Sequence, residues 1–385
     1  VKGKRFQNRT IYDQQDARPR TDTSFRNQTN RAHHRDCSPL FTINPPIDMV
    51  KHFSLDFMHL CCLGVMKKMF MDFWLRPKVL TRLGRTSRLR LSELLKKIKN
   101  QIPDEFQRTT RELDEIARWK ATEFRFFLLY AGPVLLKKIL PKELYSHFLL
   151  FHVACRILCT AEMASKYNDE AKLFLKTFCS LASELYGQQC QILNMHSLIH
   201  LADDAKNMNC TLSELTAFPF ENTLGQIKKL VRSGNRPLAQ VSRRLHERFY
   251  LKNEKATMPP EFIISKKRTQ GHNELQQISK VKNQNFVIST KPPNNVVLLK
   301  NGTILQVITI YKEQGEEEIK LQGRVLRIKR SIFLYPCDSS LFSMWQVQST
   351  QDIKTCLLNS VHKKVVLLDV GNIPGKKLYC IPLIH

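Results

Sequence analysis

The sequence predicts a mainly helical protein that ends in a β domain. Between residues 55 and 255, apolar residues recur every three or four positions with few Gly or Pro among them. Beyond residue 290 they gather into short β-branched runs, and a polar stretch separates the two textures. The 385 residues suffice for roughly two or three domains, each with its own core.

Residues 1–54 are polar, basic and without periodicity, which predicts a connector of turns and short helical pieces. At 55–75 the chain (LDFMHLCCLGVMKKMFMDFWL) switches abruptly to apolar helix formers. From Arg76 to Lys99 nine basic residues face one acid. Helical patterns then recur in RWKATEFRFFLLYAGPVLLKKIL, where Pro133 predicts a kink or break, in KELYSHFLLFHVACRILCTAEMAS, and in EAKLFLKTFCSLASELYG, which Gly187 closes as a C-terminal cap. The helical region is expected over 55–258 with five to seven helices before 200, followed by a linker over 259–289 and a small β domain over 290–385. In that domain Asn301-Gly302 stands between two β-branched runs, a strong hairpin signal.

The formal net charge is +27, from 61 Lys and Arg against 34 Asp and Glu, which calls for an anionic partner. A membrane is not expected, because the longest apolar runs, such as FFLLY at 126–130, fall far short of the roughly 20 residues of a bilayer span. The opening VKGKRFQNRT is no signal peptide. Eleven cysteines without a CxxC pair suit buried thiols in a reducing compartment rather than a zinc site or a disulfide framework.

Three short motifs carry chemistry. Asp56 and His59 fall three apart at the mouth of an apolar helix, on one face. A carboxylate there orients the imidazole, ligates a metal with it, or caps the helix and satisfies a buried ring. His196 and His200 lie one turn apart and precede Asp203 and Asp204; HxxxH chelates a metal from one helix face, but Ser197 stands where a metalloprotease helix has Glu, so hydrogen-bonded histidines are the expectation. Glu221 follows the turn AFPF and opens a basic helix, where a first-turn acid is favoured by the helix dipole. From Lys228 to Lys255 nine basic residues meet only Glu247 and Glu254, and Lys228, Lys229, Arg232, Arg236, Arg243, Arg244 and Arg248 form a track suited to phosphates. With similar runs at 1–35 and 76–99, nucleic acid is the expected partner.

In order, IDMVKHFSLDFMHLCCLGVMKKMF, RWKATEFRFFLLYAGPVLLK, MHSLIHLADDAK and AFPFENTLGQIKKLVRSGNRPLAQVSRRL resemble the C-terminal part of CACTA (En/Spm)-type DNA transposases and their relics in animal genomes. The resemblance spans residues 20–250. It implies a truncated RNase H-like (DDE) core with a long helical insertion, in which three acids hold two Mg2+ or Mn2+ ions for attack on a DNA phosphodiester. Glu221 matches the family's third acid and would be a metal ligand only in a complete site; Asp56 and His59 match its Asp-x-x-His element. The first two catalytic aspartates are expected upstream of this chain, which would then hold no metal tightly and cut no DNA by itself. Asp56 as second acid is disfavoured by its helical, apolar surroundings. The resemblance further implies duplex DNA at transposon ends as partner and a nuclear location, with self-association open. The competing expectation is a domesticated, non-catalytic DNA or protein interaction module.

Overall fold

The computed structural model describes residues 3–13, 17–253, 263–266, 275–283, 286–373, 375 and 377–384. The chain opens with a small hairpin, β1 (Lys4–Phe6) and β2 (Arg9–Ile11). Ile11 is buried, and the Tyr12 amide donates to the Gln191 carbonyl at 2.6 Å, which ties the hairpin to the helical body. Up to residue 54 the only other buried apolar side chain among the described residues is Met49. The one-turn helix Asp22–Arg26 is held by a Thr21/Ser24 capping box, and Asp22 accepts from the Met49 amide at 2.7 Å.

The helical body begins at Phe57. Two stretches of wide π-type turns, Met58–Met66 and Met69–Trp74, bury most of their residues, including Cys61, Cys62, Val65, Phe70 and Trp74. Only His59 and Met71 of these two stretches are exposed, so other elements cover most of their surface. Gly64 permits one of these approaches: a Cβ there would lie 2.9 Å from Asn194 Nδ2 and 2.8 Å from the His59 carbonyl. The helix Arg85–Ile98 is amphipathic, burying Leu91, Leu95 and Ile98 while Arg85 and Arg90 face solvent.

The next apolar run forms Ala121–Phe126, a wide turn Phe127–Ala131 and Gly132–Leu135. Pro133 brings no amide to the ladder, and the irregular turn falls just before it. The central helix Lys142–Cys159 is buried from Leu144 onward apart from the half-buried Ser146, and packs along Asn168–Tyr186. His147 stacks on Phe178 of that second helix at 4.1 Å, and Phe151 at 5.1 Å. Gly187 ends it at φ +84°. All eleven cysteines are free; burial pushes the Cys159 thiol up to about 11 and Cys190 to about 12.

The β region has β3 (Ile263–Lys266), β4 (Leu275–Lys282), β5 (Val287–Ser289), β6 (Val296–Leu299), β7 (Ile304–Glu313), β8 (Ile319–Ser331), β9 (Trp345–Leu357), β10 (Val361–Asp369) and β11 (Leu378–Pro382). Every pairing is antiparallel. Strands β7, β6, β10, β11, β9 and β8 pair in that order, and β8 pairs back onto β7, closing a barrel and removing its edges. β4 joins β7 at Ile310, beyond the β6 pairing, and β3 and β5 flank β4. The β6–β7 hairpin turns at Asn301-Gly302, where Gly302 has φ +82° and the Thr303 amide donates to Asn301 Oδ1.

Three strands thus lie inside 259–289, the stretch whose polar composition reads as a linker; β4 is a flanking strand with many exposed polar residues, which hides it from periodicity. After β8 ends at Ser331 the chain leaves the sheet, and Ile332 and Phe333 are buried in the helical core. The barrel also shares that core. Val365, Leu367, Leu378 and Cys380 point into the barrel, whereas their alternating neighbours Val366, Leu368, Tyr379 and Ile381 pack on the helices. Strands β10 and β11 are therefore buried on both faces, which explains their unbroken apolar runs. Arg156 of the central helix clamps the junction, donating to the carbonyls of Leu129 at 2.9 Å and Pro382 at 2.7 Å.

Candidate functional site: the Asp56, His59 and Glu221 corner

The structure brings Asp56, His59 and Glu221 together. Asp56 Oδ1 accepts from the amides of Ala217 at 2.7 Å and Met58 at 3.2 Å, and Oδ2 from the His59 amide at 3.0 Å and from His59 Nδ1. Burial opposes ionisation of this carboxyl, but the bonds from Ala217, His59 and Met58 prevail and hold it below the usual carboxylate range. Two backbone contacts reinforce the corner: the Phe57 amide donates to the Leu215 carbonyl at 3.0 Å, and the Leu55 amide to Asp204 Oδ2 at 2.9 Å. The start of the apolar helix and the entry to the basic helix are thereby joined.

With Nδ1 engaged by Asp56, His59 directs Nε2 towards Glu221, whose Oε1 lies 3.9 Å away. Both side chains are more than half exposed, so the imidazole is oriented by Asp56 without being buried by it. A carboxylate, imidazole and carboxylate in series can hold and pass a proton at a solvent-facing edge. They do not make the oxygen-rich cluster that Mg2+ or Mn2+ requires, because Glu221 is backed by a ring nitrogen rather than a second carboxylate. Among the described residues no group of three or more His, Cys, Asp or Glu is placed to hold a metal ion.

Glu221 sits in the first turn of the helix Phe218–Lys228, which buries no residue, and the helix Pro237–Asn253 follows. Lys228, Lys229, Arg232, Arg236, Arg243 and Arg248 are exposed and Arg244 half-buried. Among the described residues Glu247 engages Arg243, at 3.0 Å, and Arg244, at 3.4 Å. Sequence reasoning missed Gln240, which organises the loop between the helices by accepting from the Arg232 amide at 2.9 Å and donating to the Ser233 carbonyl at 3.2 Å. An amide one turn into a helix after a Gly-Asn loop carries no distinctive signal. The exposed apolar set Phe220, Leu224, Leu238, Leu245 and Phe249 was also not singled out.

His196 and His200 lie elsewhere, with Asp203 bound to Lys172 at 2.6 Å and Asp204 holding the Leu55 amide. Both imidazoles are lowered from their usual value, first by burial.

Fold and surface together define a strongly basic protein in which a helical body carries an exposed basic helix pair and packs on an antiparallel barrel. Residues 264–383, the barrel with most of its flanking strands, match a family model described as a domain of unknown function (DUF8592). No curated protein and no solved structure matches the chain.

Proposed function

We propose that this chain is a transposase-derived, nuclear DNA-binding protein, part of a metal-dependent DNA strand cleavage and transfer enzyme of RNase H-like type, and inactive in cleavage by itself. The observation that carries this reading is the pair of solvent-facing helices over 218–253, whose cations outnumber the one carboxylate that engages them among the described residues. Cations free of internal partners neutralise backbone phosphates and release condensed counterions. Glu221 standing beside His59 instead of a second carboxylate supports the absence of cleavage. A reading as a non-catalytic interaction module draws on Phe220 and Leu224, apolar and exposed among the basic residues.

Labelled duplex DNA titrated at about 50 and 200 mM salt tests the proposal; contact with about six phosphates weakens binding by roughly 10³-fold over that range. Replacing Lys228, Arg232 and Arg236 with Glu lowers both affinity and salt slope. Affinity indifferent to salt defeats the electrostatic account, and Mg2+- or Mn2+-dependent nicking that disappears in Glu221→Gln defeats the claim of inactivity.

A further inference from the structure

The imidazoles of His196 and His200 face each other through Nε2, with the two nitrogens 3.4 Å apart. We propose that this pair is a binding site for a borderline-soft divalent transition metal ion, zinc being the type case, separate from the Asp56 corner and independent of the DNA-binding reading.

The separation is the first argument. Two ring nitrogens at about 2.0–2.1 Å from a tetrahedral ion stand about 3.3–3.4 Å from each other. The rings are inclined at 70° with centroids 5.3 Å apart, so they converge at their Nε2 ends instead of stacking. Two Nε2 lone pairs this close repel unless a proton or a cation lies between them.

The surroundings favour the cation. Burial lowers the pKa of both imidazoles; the His200 ring lowers that of His196 further, and for His200 Asp203 raises it while Lys172 lowers it. The neutral ring is the ligating form. His196 is 7% exposed and its Nδ1 meets no partner among the described residues, so no hydrogen bond on that side accounts for the ring's orientation towards His200. His200 is exposed, which gives an ion a way in and leaves its remaining positions to water or an outside donor. The nearest acids are committed, Asp203 to Lys172 and Asp204 to the Leu55 amide, so the site has two protein ligands and exchanges its ion readily. Two imidazoles without a carboxylate select Zn2+, Co2+, Ni2+ or Cu2+ over Mg2+. Because His196 lies in Leu193–Ser197 and His200 ends the following turn, an ion here ties the two short helical pieces together.

The test uses the full chain carrying Cys37→Ser, which removes the exposed thiol near His33 and His34. After chelator treatment, Zn2+ is titrated by calorimetry and Co2+ by visible absorption. The expected result is one ion per chain, binding weakened about tenfold or more in His200→Gln because one ligand replaces two, and binding unchanged in His59→Gln. Zn2+ raises the melting temperature of the parent but not of His200→Gln, whose substituted side chain is on the surface. Binding of equal strength in His200→Gln, no Zn2+ binding at all, or equal competition by Mg2+ overturns the proposal.

Discussion

Lys364 of β10 has no solvent exposure along its side chain, and its Nζ lies 2.7 Å from Oε2 and 2.8 Å from Oε1 of Glu105 in the helical body. Asn294 Oδ1 accepts from the same ammonium at 2.6 Å, and Glu105 Oε1 also accepts from the Val287 amide at 2.7 Å. Burial lowers the Lys364 pKa while Glu105 raises it, so each group depends on the other. The pair is the polar centre of the contact between barrel and helices.

Removing one member strands the other. Glu105→Gln or Lys364→Ala is expected to cost about 3–5 kcal/mol, the penalty for an unpaired buried charge, whereas the double change Glu105→Leu, Lys364→Met costs less than either alone. Chemical denaturation of the three variants measures this. Because Val366, Leu368, Tyr379 and Ile381 belong to the helical core, near-ultraviolet and far-ultraviolet signals should fall in one transition. A barrel transition that survives melting of the helices would refute the shared core.

Asp56 and His59 are expected to differ sharply. Asp56 satisfies three amides, so Asp56→Ala should lower stability by about 1–3 kcal/mol and loosen the 217–230 segment. His59 exposes most of its ring, so His59→Ala should cost under about 1 kcal/mol. Thermal melts rank the two, and hydrogen exchange at Ala217 reports the loosening.

Acid should destabilise the protein before its carboxylates titrate. Burial lowers His147 to about 4 and His152 to about 3, each from 6.5. The folded state therefore refuses protons that the unfolded chain accepts once the pH falls below 6.5, and stability is lost on the way down, not gained. Each ring contributes about 1.4 kcal/mol per pH unit between 6.5 and its lowered value. Melting temperatures from pH 7 to 5 should fall, and His147→Gln should flatten the slope even if it lowers the starting value; a parent curve flat over this range would count against burial of the neutral rings.

The helical body, the Asn301-Gly302 hairpin and the basic track were legible in the sequence because each is a local matter: period, turn chemistry and charge are set within a few residues. Asp56 with His59 was legible for the same reason, three residues apart on one helix. Tertiary structure alone decided that Glu221 meets His59, since an amide at Ala217 bound by Asp56 brings the two segments together across the chain. It also decided that the polar 259–289 stretch supplies strands, and that β10 and β11 are covered on both faces. An apolar run states that a strand is buried, but not by what; the partner is chosen by packing across residues distant in the chain, as the Glu105–Lys364 pair shows, and no local pattern records it.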